Sequence, residues 1–182
     1  MNWENTALVM IDLQRGVTSV DVKPNRSDEI IARTNQLIEQ AQAQGGFLAY
    51  VHSDFLDDKD QLPGDKKLRA LSNDEAHFAD FDPRLTMAND AYVITKRGFS
   101  AFFGTDLDLE LRRHHIKRVV FVGISTHVGI DSAARDAYQL GYELTFVTDA
   151  MAAPKVEQHE FALNTIFPMM GENKTTAEVL AD

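Results

Sequence analysis

An aspartate, a lysine and a glycine-bounded turn are the places in this chain where chemistry could be done. Asp12 follows the apolar run Ala7-Leu8-Val9-Met10-Ile11, Lys96 follows the stretch 91–95, and Gly123-Ile124-Ser125-Thr126-His127-Val128-Gly129 leaves another apolar run and opens a helical pattern. A carboxyl and an ammonium brought together are the materials of general acid–base catalysis. The turn is the kind of strand-to-helix junction where α/β enzymes hold catalytic groups, yet Gly129 offers no side chain where a nucleophile is expected. Covalent catalysis needs a thiolate or an activated hydroxyl within reach of a base. The chain contains no cysteine, and the hydroxyls of Ser125, Thr126 and Ser132 are expected about one helical turn or a strand-to-helix corner from the vacant position. The chemistry read from these residues is therefore non-nucleophilic. Each residue also has a structural alternative: Asp12 as a turn cap, Lys96 as a solvated strand-end cation, His127 as a helix-start residue rather than a base, and Asp149 as the anchor of a turn beyond the fifth strand.

Positioning these groups requires strands that end at one edge. Apolar runs of strand length alternate with helical patterns along the whole chain, which predicts an α/β fold: a three-layer α/β/α domain with a doubly wound, mostly parallel sheet. Strands are expected at 7–11, 47–52, 91–95, 118–122 and 143–148. Ile30, Ile31, Leu37, Ile38 and Ala41 mark one face of a helix that Gly45-Gly46 should end, and Thr105-x-x-Asp108 reads as a capping box variant for a helix carrying Leu107 and Leu111. Ala133, Ala134, Ala137 and Leu140 mark the helix after Gly129, closed by Gly141. Between them, residues 54–83 turn polar and irregular, with Leu62-Pro63-Gly64-Asp65 as a turn signal, and read as an excursion covering the substrate. Ligands of such sheets bind outside the carboxyl ends of the strands, so Asp12, Lys96 and the 123–129 turn are expected to converge.

With 182 residues and 44% hydrophobic content, one domain over 1–182 is expected, burying roughly 70% of its unfolded surface. A net charge of −10 argues against nucleic acid as a partner, since phosphate binding wants clustered Lys and Arg. The start Met1-Asn2-Trp3-Glu4 has no basic region and its apolar run stops at Asp12, which points to a cytoplasmic protein without membrane attachment. Nothing matches a dinucleotide or phosphate-loop fingerprint, and His52 and Asp54, with His77 far along the loop, are too few for a metal cluster. Neither cofactor nor metal is expected.

In this order and spacing, Val9-Met10-Ile11-Asp12-Leu13-Gln14, Thr95-Lys96, Phe99-Ser100-Ala101-Phe102-Phe103-Gly104-Thr105, the 123–129 turn, Ala134-Arg135-Asp136-Ala137-Tyr138, Gly141-Tyr142 and Thr148-Asp149-Ala150 resemble the isochorismatase-like hydrolase family. Most members are cysteine hydrolases with an Asp, Lys and Cys triad; Asp12 and Lys96 match the first two positions and Gly129 stands at the third. True isochorismatases also lack the cysteine and are similar to this chain at His127, Val128 and Gly129. That resemblance implies hydrolysis of a vinyl ether on a small, anionic substrate. Asp12 would protonate the terminal vinyl carbon and Lys96 would orient Asp12 and bind substrate carboxylates. Gly129 would leave room for the enolpyruvyl group, with Ile124, Ser125, Phe99 and His127 also at the substrate. It further implies a non-prolyl cis peptide between Ile124 and Ser125, and a homo-oligomer whose partner chain completes the pocket rim. Around the substrate the chain departs from isochorismatases: Arg97-Gly98 follows Lys96, Ser125 replaces a Tyr, and His52-Ser53-Asp54 stands where they have a Gln. The alternative is a catalytically silent binding or regulatory module, against which the retained acid and lysine argue.

Overall fold

The computed structural model describes residues 1–55 and 72–182. Its centre is β1 (Thr6–Ile11), paired in parallel with β3 (Phe47–Ser53) on one side and β5 (Arg118–Ile124) on the other. β4 (Tyr92–Lys96) extends the sheet beyond β3, and β6 (Glu143–Ala153) extends it beyond β5. Two short strands complete seven: β2 (Lys23–Pro24) runs antiparallel to the end of β6, and β7 (Gly171–Lys174) pairs in parallel with its start.

All six residues of β1 are buried. A strand covered on both faces reads as a continuous apolar run rather than an alternation. Its side chains still divide by face: Ala7, Val9 and Ile11 join one core with α3 (Leu107–Arg113) and α4 (Asp131–Gln139), while Leu8 and Met10 join a second core with α2 (Ser27–Ala43) and α6 (Thr176–Ala181). The result is the anticipated three-layer α/β arrangement with a mostly parallel sheet. Two further helices are α1 (Arg15–Thr18) and α5 (Val156–Phe161).

Several local expectations are corrected. The proposed capping box does not form: Asp106 holds the N-cap position of α3, and Asp108 instead accepts from Tyr142 Oη at 2.8 Å. Strand β6 runs five residues past Thr148, so Asp149 lies within a strand, where its Oδ1 accepts from the backbone and hydroxyl of Thr176 at 2.7 and 2.8 Å and anchors α6. Lys96 is the last residue of β4 rather than beyond it. Of the expected covering excursion, the turn at 62–65 lies outside the described residues; residues 72–83 pack against α1, with Gly16 N–H donating to Phe78 O at 3.1 Å.

Candidate active site

The site is built by strand register. Ile11 lies opposite Val51 and Gly123, and Ser53 lies opposite Lys96, so the carboxyl ends of four neighbouring strands meet around Asp12. Strand connections leave β1 in opposite directions here, the position at which open α/β sheets bind ligands. Asp12 turns out of the strand at φ 52° while its N–H still donates to Val51 O at 2.9 Å. Asp tolerates this left-handed conformation better than most residues because its short polar side chain bonds locally.

Lys96 Nζ lies 2.9 Å from Asp12 Oδ2 and also donates to Gly98 O at 3.2 Å. Ser53 Oγ donates to Asp12 Oδ1 at 3.2 Å. Asp12 is 8% exposed and Lys96 3%. Two charges so deeply placed are tolerated because each has its partner; removing either leaves an uncompensated charge costing about 3–5 kcal/mol. Below them, Gln14 is fully buried and stitches the neighbouring segments together, accepting from Ser53 N–H at 2.7 Å and donating to Ser53 O and Phe78 O. The sequence reading quoted Ser53 and Gln14 within longer stretches but gave neither a role at the site. The available signal was a glutamine two residues beyond a strand-end aspartate with no solvent-facing pattern around it.

Gly123 has φ +123°, and a Cβ there would stand 2.0 Å from Ile11 O. Only glycine lets β5 approach β1 this closely. The peptide between Ile124 and Ser125 is cis. The chain then enters a wide turn over Thr126–Ile130 before α4 begins. A Cβ on Gly129 would stand 3.0 Å from Ile11 Cγ2 and 3.3 Å from Asp12 Oδ2. The bare position thus faces the carboxyl directly.

Asp12, Lys96, Gly129, Ser125, Ile124, Phe99 and His127 all line one cavity of ≈ 260 Å³. Val17, Val20, Val22, Phe55, Phe78 and Pro154 supply much of the remaining wall. A largely apolar cavity with a few convergent polar groups is the usual form of a small-molecule site, and this volume suits a compact ligand. Ser125 Oγ lies 2.9 Å from His127 Nδ1. Burial lowers the His127 pKa against an opposing pull from the Asp131 carboxylate. Behind the turn, Thr126 Oγ1 lies 2.8 Å from His159 Nδ1, and burial pushes His159 down to about 4. Both ring nitrogens of His52 are engaged, with Ala79 O at 2.7 Å and Thr95 Oγ1 at 2.8 Å. Among the described residues, no group of three His, Cys, Asp or Glu side chains is placed to hold a metal ion, and no helix is long and apolar enough to cross a membrane.

Comparison with known proteins gives the family. The isochorismatase domain pattern matches residues 6–178. The chain is 39% identical to the uncharacterized isochorismatase family protein YwoC of Bacillus subtilis, across 99% of this chain and 95% of that one. It is 36% identical to the uncharacterized isochorismatase family protein YecD of Escherichia coli O157:H7, across 99% and 97%. An isochorismatase family protein from Burkholderia thailandensis superposes with a TM-score of 0.90 at 33% identity, covering 98% of this chain and 95% of that structure. A pattern spanning nearly the whole chain, with relatives matched end to end, makes this protein a member of the isochorismatase family, whose members are hydrolases.

Proposed function

We propose that this protein hydrolyses a small substrate by acid assistance and without a protein-bound intermediate, an anionic vinyl ether of the isochorismate type being the leading candidate. One observation carries the reading: the buried Asp12–Lys96 pair at 2.9 Å stands beside a position, Gly129, that has no side chain to attack with. Starting from the ion pair, the Lys96 ammonium passes a proton to the Asp12 carboxyl in contact with it, and Asp12 delivers that proton to the terminal vinyl carbon. Water adds to the resulting oxocarbenium carbon. The hemiketal then collapses, breaking its bond to the ring oxygen, releasing pyruvate and a diol, and returning one proton to the pair. Ser53 and Lys96 hold the carboxyl in place for this transfer, which matters because misplacement by about 1 Å can cost 10²-fold.

Pyruvate release from isochorismate by the purified protein, with isochorismate affinity measured in parallel, tests the proposal. Turnover supports it. Tight binding without turnover would replace it with the binding or regulatory module, and neither would exclude isochorismate as the substrate.

A further inference from the structure

We propose that Ser125 and His127 form a second reactive centre in the same cavity, an activated serine that cleaves small esters with apolar acyl groups. This chemistry is independent of the acid-assisted reaction at Asp12. Its geometry is that of a nucleophile and its base: Ser125 Oγ and His127 Nδ1 are 2.9 Å apart and both residues line the cavity, within the 2.6–3.2 Å reach such pairs require. In the Nε2–H tautomer, Nδ1 accepts the serine proton.

The ordinary structural role for Ser125 is not taken. It occupies the N-cap position of the 126–130 turn, where a serine hydroxyl normally accepts from a backbone N–H two or three residues on. Ser125 makes no such bond and engages the imidazole instead. The neighbouring hydroxyls are committed elsewhere: fully buried Thr126 to His159, and Ser53 to Asp12. Burial lowers the His127 pKa and so favours the neutral imidazole that can accept a proton. Around the pair, Val20, Val22, Phe78 and Val128 offer an apolar surface for an acyl group.

The reaction balances within the chain, the ester and water. Ser125 Oγ bonds to the ester carbonyl carbon as its proton passes to His127 Nδ1. The tetrahedral adduct expels the alkoxide, which takes that proton and leaves as the alcohol. Water then attacks the acyl-serine with His127 again accepting and returning the proton, giving the carboxylic acid and free Ser125.

The test uses a fluorophosphonate probe on the full chain, read by intact mass and peptide mapping, together with hydrolysis of p-nitrophenyl butyrate. One adduct at Ser125 is expected. It should be absent in Ser125→Ala, slowed by about 10²-fold or more in His127→Gln, and unchanged in Ser132→Ala, with circular dichroism confirming that each variant folds. The labelling rate should fall in acid as His127 gains a proton. The Asp131 carboxylate, at the start of α4, favours the charged form of His127; Glu157 of α5 lines a pocket with both of them, and Asp12 and Lys96 line the same cavity as His127. No adduct on the folded parent, an adduct elsewhere, or labelling indifferent to His127→Gln would overturn the proposal. None of these outcomes depends on whether isochorismate is hydrolysed.

Discussion

Replacing Lys96 with Met removes a charge while keeping an unbranched apolar stem, so it isolates what the ammonium does for Asp12. Lys96 is 3% exposed and its Nζ is 2.9 Å from Asp12 Oδ2. Losing one member of a buried pair costs about 3–5 kcal/mol, because the other charge is left without compensation. Asp12 Oδ1 would still hold the Ser53 hydroxyl, which places the expected loss near the lower end, about 3 kcal/mol. In a chain of this length each kcal/mol moves the melting temperature by about 2–4 °C, giving a drop of roughly 6–12 °C. The double variant Asp12→Asn, Lys96→Met removes both charges and should recover about 2 kcal/mol relative to Lys96→Met alone. Urea unfolding of parent, single and double variants measures this, with constant slopes showing that the unfolding reaction is unchanged. A Lys96→Met protein as stable as the parent, or a double variant weaker than the single, would refute the argument that the pair is held by mutual compensation.

The glycines of the turn should separate stability from activity. In Gly129→Ala the tight 3.0 Å contact with Ile11 Cγ2 is offset by better helix propensity to within about 1 kcal/mol. The new methyl beside Asp12 should lower hydrolysis at least about tenfold, as read by steady-state rates beside a melting curve. Gly123→Ala should instead cost more than about 4 kcal/mol, since its Cβ would meet Ile11 O at 2.0 Å in a conformation closed to alanine; soluble yield and melting temperature report it. For His159, burial lowers the folded value from 6.5 to about 4, so the unfolded chain binds the proton first on acidification. Its contribution to stability is intact above pH 6.5 and is lost progressively as pH falls through about 4. The loss is about 2 kcal/mol by pH 5 and about 3 kcal/mol in full. Urea unfolding at pH 7 and pH 5 should show His159→Gln losing that much less than the parent.

The parts of the fold that were legible in the sequence are those whose physics is local. β1 is an unbroken apolar run because both its faces are covered, and α2 shows its buried stripe at helical spacing. β2 and β7 were not anticipated, because Lys23-Pro24 and Gly171-Glu-Asn-Lys174 are short and largely polar and owe their strand character to pairing with β6. α6 was missed for a related reason: it is anchored by Asp149, 27 residues away in sequence. At the site, Asp12 and Lys96 could be singled out because each closes an apolar run, and Gly129 because it lies in the strand-to-helix turn where a nucleophile is expected. Ser53 and Gln14 stood in stretches the resemblance already touched, but their roles were not legible, since the groups they bond come from other strands and loops. The Ser125–His127 contact depends on how the backbone bends after Ile124, which residue types alone do not specify.

In the proposed reaction Asp12 delivers the proton. Asp12→Asn keeps shape and hydrogen bonding but has no carboxyl proton to transfer, so pyruvate release from isochorismate should fall by about 10² to 10⁴ while isochorismate affinity changes far less. Turnover in the parent that is unaffected by Asp12→Asn would contradict the account.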